Sequence, residues 1–171
     1  MITERLHKAL NDQMNFEFYS AHVYMQMAAY ATDRGYDGIA NFFLCQEQEE
    51  RSHGMKFYNY LGERNLKITI TGFELDQTDF GTILNLYQEA LRHERVVTSR
   101  IYNLADIAGE EREHGTTHLL TWFINEQLEE EATFTKHIRT LEHIEERSND
   151  MLQFDQEMAA RVFVDTTQTQ V

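Results

Sequence analysis

Proline is absent from this chain of 171 residues, and cysteine and tryptophan occur once each. Without proline, nothing removes a backbone donor or blocks a helical turn, so long uninterrupted helices are unopposed. The single Cys45 excludes an internal disulfide and a sulfur-rich metal site. It fits a reducing compartment and the role of a small buried apolar residue. Basic residues are also scarce, 15 Lys and Arg against 29 Asp and Glu, for a net charge of −14. That deficit argues against nucleic acid as a partner, because phosphate backbones are bound by concentrated Lys and Arg. Its natural counterpart is the attraction of cations or simply solubility, and charge alone does not separate the two. No apolar run reaches the length of a membrane span, and Met1-Ile2-Thr3-Glu4-Arg5 leads straight into an amphipathic pattern rather than an apolar signal segment. A cytoplasmic protein without a membrane partner is expected, of a size that suits one domain with a real core.

What is present is helical periodicity, interrupted by few breaks. A first helix is expected over 3–32 with Thr3 as N-cap, then a turn at Asp33-Arg34-Gly35-Tyr36-Asp37-Gly38. A second helix follows over 38–65, weakened near its end by Gly62. The short connection makes the two antiparallel neighbours. Residues 66–78 alternate and are rich in β-branched residues, yet no second strand exists to pair with them. They are expected to form an extended crossover, long enough to return along a bundle at roughly 3.3 Å per residue. A third helix should begin near Thr78 or Asp79 and end near Ala108-Gly109. A fourth should run over 111–147, with Gly115 a possible kink. Ser148-Asn149-Asp150 supplies good caps for a short fifth helix over 149–163, which is too short to stand alone and must dock on its own bundle or on a neighbouring chain. Residues 164–171 read as a flexible tail.

The seams of the four long helices carry the chemistry. On the second helix, heptad steps give Ile39, Phe43, Gln46, Glu50, His53, Phe57 and Tyr60, apolar at both ends and ionisable in the middle. The first helix places Glu17 at mid-seam between Leu10 and Tyr24. The third places Glu94 between Tyr87 and Ile101, and the fourth places Gln127 and Glu130 between Phe123 and Phe134. Buried carboxylates are costly unless paired, protonated or bound to a metal. Glu17 to Glu50 and Glu94 to Gln127 both span 33 residues, so the chain looks like two copies of one helical hairpin offset by 77, an offset Glu49 and Glu126 share. A Glu from each of two helices, with Glu-x-x-His-type pairs from the other two, is how helical bundles build a dinuclear carboxylate site. Here the last pair is Gln-x-x-Glu.

Oxygen ligands with one imidazole suit iron, manganese or zinc. Glu50 sits where it would bridge two metals, with Glu17 and His53 completing one site and Glu94 and Glu130 the other. Tyr24, two turns after Glu17, is either a partner of a metal ligand and electron donor or a core tyrosine. Trp122 reads as a packing residue. Glu49, Glu126 and Glu129 adjoin the site but turn away from its centre; they are either a third metal site, a path to one surface or a solvated acidic face. His114 and His118 read as solvated.

These residues resemble bacterial non-haem ferritins over nearly the whole chain. The matching segments are Asn11-Asp12-Gln13-Met14-Asn15-Phe16-Glu17-Phe18-Tyr19-Ser20, the Glu-Glu-x-x-His of Glu49 to His53, and Trp122-Phe123-Ile124-Asn125-Glu126-Gln127-Leu128-Glu129-Glu130-Glu131. The resemblance implies an all-α ferritin-like four-helix bundle with one long crossover between its second and third helices and a short fifth helix. It implies a diiron ferroxidase centre, in which Glu17, Glu50 and His53 bind the first iron and Glu50, Glu94 and Glu130 the second, with Gln127 nearby. Glu49, Glu126 and Glu129, with Glu130, match a third iron site, and Tyr24 matches the tyrosine beside the diiron centre. It further implies Fe(II) oxidation by dioxygen or peroxide and storage of ferric mineral in a hollow homo-oligomer of 24 subunits. Haem-containing relatives place methionine directly after the bridging glutamate; Arg51 stands there, so no haem is expected. Thr116, Thr117 and Leu120 occupy the region where relatives carry acidic iron-admitting channels. The competing readings are a diiron oxidase or peroxidase that stores nothing, and a purely structural bundle.

Overall fold

The computed structural model of the chain describes residues 2–75 and 77–167. Five helices follow one another: α1 (Glu4–Asp33), α2 (Asp37–Glu63), α3 (Ile83–Glu110), α4 (His114–Leu141) and α5 (Asn149–Ala159). Helices α1 and α2 form one antiparallel hairpin and α3 and α4 a second, as the repeat predicts. Thr3 caps α1 by accepting from the Leu6 amide at 3.2 Å.

The crossover is extended and unpaired by any strand among the described residues, and asparagines of α1 take the place of a partner strand. Asn11 accepts from the Thr69 amide at 2.8 Å and donates to the Thr69 carbonyl at 3.0 Å. Asn15 accepts from the Thr71 amide at 2.9 Å. Phe73 then packs over the His22 ring, with centroids 4.5 Å apart.

Three helices differ from the sequence expectation. The third begins at Ile83, not near Thr78 or Asp79. The Asp79 carboxylate accepts from the Gly81 amide at 3.0 Å, Gly81 takes a positive φ of 76°, and Thr82 provides the cap. A local Asx-type bond has competed with helix initiation. The fourth helix starts at His114 and ends at Leu141 rather than running over 111–147. Arg112 is left-handed, and the Glu113 carboxylate caps the Thr116 amide at 2.7 Å while Arg64 donates to it at 2.6 Å. Gly115 therefore lies in the first turn and introduces no mid-helix kink. At the other end, successive turns and a left-handed Arg147 redirect the chain so that Ser148 caps α5.

The fifth helix ends at Ala159, short of the expected 163. It docks on its own bundle: Asp155 accepts from the Ile39 amide at 2.8 Å, and Met151 and Phe154 are buried. Residues 161–167 return along α2, and residues 168–171 lie outside the described part of the chain.

The apolar interior falls into two halves. One holds Tyr24, Phe43, Tyr87 and Phe134 with the α5 residues Met151 and Phe154. The other holds Leu6, Leu10, Phe57, Ile101, Leu120 and Phe123. Between them lies a buried polar band drawn from all four long helices.

Two glycines test the packing of α5. A Cβ at Gly38 would lie 1.7 Å from the Asp155 carbonyl oxygen, whereas one at Gly62 would meet nothing. Gly38→Ala is expected to destabilise the protein by about 1–3 kcal/mol through forced displacement of α5. Gly62→Ala should stabilise it by about 0.5–1 kcal/mol. Urea unfolding of both variants checks the pair; a Gly38→Ala protein as stable as the parent would contradict the docking.

Candidate metal centre

The polar band comprises Gln13 and Glu17 from α1, Gln46, Glu50 and His53 from α2, Glu94 from α3, and Gln127 and Glu130 from α4. Each sits at a seam position, so helical geometry aims all of them at the bundle axis. Aromatic rings bound the band on both sides. Tyr24 stacks on Phe134 and Phe43 on one side, and Phe57 stacks on Phe123 at 4.2 Å on the other.

Glu17, Glu50 and His53 each offer a ligand atom within 4.8 Å of the others. Among the described residues they alone form such a group of three. Gln13 donates to one Glu17 oxygen at 2.9 Å, and His53 Nδ1 lies 3.8 Å from Glu50 Oε2. The second Glu17 oxygen, both Glu50 oxygens and His53 Nε2 are buried with no hydrogen-bond partner among the described residues. Three unpartnered carboxylate oxygens in one region of a core are expensive, and with the imidazole of His53, whose Nδ1 is the nitrogen beside Glu50, they are a fitting donor set for a divalent cation.

Glu94 and Glu130 enter the same band, with their carboxylates held by neighbours. Tyr24 donates its hydroxyl to Glu94 Oε1, and Gln127 donates to Glu94 Oε2 at 2.9 Å. Gln46 donates to Glu130 at 3.0 Å. Tyr24 and Gln127 thus act on Glu94 together, an arrangement that joins two expected site residues to a third.

Electrostatics follow from burial. Desolvation lifts Glu17 from the ordinary 4.5 to about 7, against the hydrogen bond from Gln13. Desolvation also lifts Glu94 to about 7, against the bonds from Tyr24 and Gln127. Glu50 and Glu130 are pushed well above the carboxylate range by burial and then by the Glu94 charge. Burial and then the Lys56 charge hold His53 down to about 4, so its imidazole is neutral with a lone pair to offer.

The residues matched to a third site do not converge as ligands. Glu49 is ion-paired with Arg161, Glu126 Oε1 lies 3.9 Å from His53 Nε2, and Glu129 is exposed. Trp122 packs edge-on against His53 with centroids 5.3 Å apart, in keeping with its reading as a packing residue. His114 and His118 are exposed, as expected. Thr116 and Leu120 face the interior of their own bundle.

Sequence reasoning missed three contributors. Gln13 was visible as the i,i+4 neighbour of Glu17; it links that carboxylate to Arg100, which donates to Gln13 at 2.9 Å. His93 is buried, bonds Ser20 at 2.8 Å and meets the Tyr24 ring edge-on. Its position beside Glu94 was the only signal. Arg161 lies in the chain beyond α5, where periodicity has nothing to say.

Comparison with known proteins identifies the family. The Ferritin-like domain family matches residues 7–144. A bacterial non-heme ferritin of Staphylococcus saprophyticus is 44% identical over 163 residues, covering 95% of this chain and 98% of its own. One from Staphylococcus aureus is 42% identical over the same coverage. Among solved structures, an open pore ferritin from the hyperthermophilic archaeon Archaeoglobus fulgidus superposes with a TM-score of 0.93 at 33% identity, over 95% of this chain and 100% of that one. A humanized archaeal ferritin gives 0.94 at 34% identity, over 96% and 99%. With a family match over most of its length, and relatives of this identity aligned nearly end to end, the chain belongs to the ferritin family.

Proposed function

We propose that this protein stores iron, oxidising Fe(II) at the buried band and retaining the ferric product inside an assembly of 24 copies. The observation that carries the reading is the Glu17–Glu50–His53 group, whose unpartnered oxygens and imidazole nitrogen lie between two apolar halves of one bundle. Glu50 serves as the bridging carboxylate, Glu17 and His53 hold the first Fe(II), and Glu94 and Glu130 hold the second. Two irons held this closely can give two electrons to dioxygen or peroxide together, and the carboxylates favour the ferric state. Gln127 and Tyr24 orient Glu94 through the bonds already described. Tyr24 is also placed to supply an electron. Gln13 fixes one oxygen of Glu17 and Gln46 one oxygen of Glu130, each leaving the other without a side-chain donor among the described residues. Both Glu94 oxygens, by contrast, are held, by Tyr24 and Gln127, so an ion there takes over one of those contacts. Bacterial relatives named non-heme ferritins support the same activity, and the lone free Cys45 suits residence in the cytoplasm.

Aerobic loading of the metal-free protein with a large excess of Fe(II) tests this, followed by size-exclusion chromatography with iron analysis. Iron far beyond a few atoms per chain should elute with a very large particle. Glu50→Ala should fold and assemble but lose rapid oxidation, because the bridge is gone. Iron limited to two or three atoms per chain would instead identify a diiron oxidase that stores nothing. Rapid oxidation by Glu50→Ala at the parent rate would contradict the site.

Cations must displace protons from this band. Raised carboxyls stabilise the fold most below their unfolded value near 4.5, and that contribution fades as pH rises toward about 7 for Glu17 and Glu94 and further for Glu50 and Glu130. His53, His93 and His137, lowered to about 4, act in the opposite sense only below the ordinary 6.5. Above pH 6.5 the raised carboxyls dominate, those of the band joined in the same sense by Glu126, which burial lifts to about 7. The melting temperature of metal-free protein is therefore expected to fall from pH 6.5 to about pH 8, and saturation with Mn2+ should reverse the trend, since a bound ion competes with fewer protons at higher pH. Scanning calorimetry at the two pH values decides it; a metal-free protein that gains stability over this range would contradict the proton count.

A further inference from the structure

Behind the buried band stands a guanidinium that reaches it through a single amide. Arg100, on α3, is half-buried. Its Nε donates to Gln13 Oε1 at 2.9 Å, and a second guanidinium nitrogen donates to the Asp12 carbonyl at 3.2 Å. The group lies 4.1 Å over the Phe16 ring. Gln13, 2% exposed, in turn donates from Nε2 to Glu17 Oε1 at 2.9 Å. Glu17 Oε2 is buried with no hydrogen-bond partner among the described residues, and Glu17 is one of the three residues whose ligand atoms converge. On its other side Arg100 borders a cleft of about 430 Å³ between α1 and the crossover, with Asn15, Tyr19 and Phe73 among its walls. The positive charge therefore sits at the edge of the bundle, outside the band.

The direction of this chain of contacts is fixed by chemistry. A glutamine amide can face a carboxyl group in two ways. Its nitrogen donates to a carboxylate, or its oxygen accepts from a carboxylic acid. A guanidinium has donors only and does not lose its proton in a protein. The atom of Gln13 that meets Arg100 must therefore be the oxygen, which turns the nitrogen toward Glu17. Gln46 is the contrast. It donates to Glu130 at 3.0 Å, but its own Oε1 is buried with no hydrogen-bond partner among the described residues, so no donor pins that amide. With one oxygen held by a locked donor, Glu17 presents the other alone, as a single-oxygen ligand.

We propose that Arg100 is a positioning residue for cation binding: acting through Gln13, it locks the amide so that Glu17 offers its one free oxygen to a divalent cation beside Glu50 and His53. The inference rests on the reading that this group binds Fe(II). It also predicts a sign that simple electrostatics opposes. A guanidinium two hydrogen bonds away repels a cation, so losing its charge alone would tighten binding. Losing its hold on Gln13 loosens binding, and the positioning effect is the larger of the two.

Trp122 supplies the reporter, being the sole tryptophan and packed edge-on against His53 with centroids 5.3 Å apart. The metal-free assembled protein is titrated with Co2+, following quenching of Trp122 fluorescence and counting bound Co2+ by equilibrium dialysis. Arg100→Met keeps an apolar stem over Phe16 but removes the donors and the charge, and Gln13→Met removes the amide. Each should weaken the binding seen at Trp122 by about tenfold, as is usual when a hydrogen-bond partner of a metal ligand is lost. The double variant should bind no more weakly than the weaker single one, because both residues act on one carboxylate in series. Arg100→Lys, which keeps the charge and a donor for Gln13, should recover most of the loss. Urea unfolding of the metal-free variants measures packing separately; a packing role alone lowers stability and leaves Co2+ affinity at the parent value. An Arg100→Met protein that binds Co2+ as tightly as the parent, or more tightly, would overturn the inference, as would losses that multiply in the double variant. Co2+ bound by the parent but silent at Trp122 would overturn it alone. A parent that binds no Co2+ would remove the proposed function and the inference with it.

Discussion

Everything in this bundle is arranged around the desolvation of four carboxyl groups at one height of the core. Glu17, Glu50, Glu94 and Glu130 are each 5% exposed or less, on four different helices. Their burial raises every one of their pKa values. Without compensation such a layer would split the core, and the apolar interior is indeed divided into two halves on either side of it. Each half is closed by aromatic stacking near the band, so the hydrophobic surface lost at mid-height is recovered immediately above and below. The helices must remain long because each half needs its own core.

The way the band is hydrogen-bonded separates its structural members from its reactive ones. Gln13, Gln46 and Gln127 each donate to a carboxylate oxygen, and Tyr24 donates to a further one. These donors are neutral, so they orient the carboxylates without neutralising them. Glu50, which none of them reaches, and the second oxygen of Glu17 stay unpartnered, and Glu17, Glu50 and His53 are the residues that converge. A fully satisfied network would be a stable polar core. A partly satisfied one is a stable scaffold only when something else completes it, and here protons or cations do so.

Most of the fold and the centre of the site were legible in the sequence because both depend on helical period. Glu17, Glu50, His53, Glu94, Gln127 and Glu130 fall on seam positions, and seam positions are buried whatever the loops do. The 33-residue and 77-residue offsets likewise correspond to the α1–α2 and α3–α4 hairpins. The failures came where period gives no information. The start of α3 depends on whether Asp79 bonds Gly81 or caps a helix, a local competition decided by a single left-handed glycine. The start of α4 depends on Arg112 adopting positive φ and its end on the turns that follow Leu141, neither of which composition announces. The asparagine clips on the crossover and the Arg161–Glu49 pair join residues more than fifty positions apart. No spacing rule reaches that far.

The central claim is that four helices present one cation site of two adjoining halves, with Glu50 shared. Anomalous scattering from crystals soaked anaerobically with Fe(II) measures it most directly. Two iron peaks are expected within the band, one among Glu17, Glu50 and His53 and one among Glu50, Glu94 and Glu130, with the Glu50 carboxylate between them. A band without iron, or iron bound only at the exposed Glu129, would contradict it.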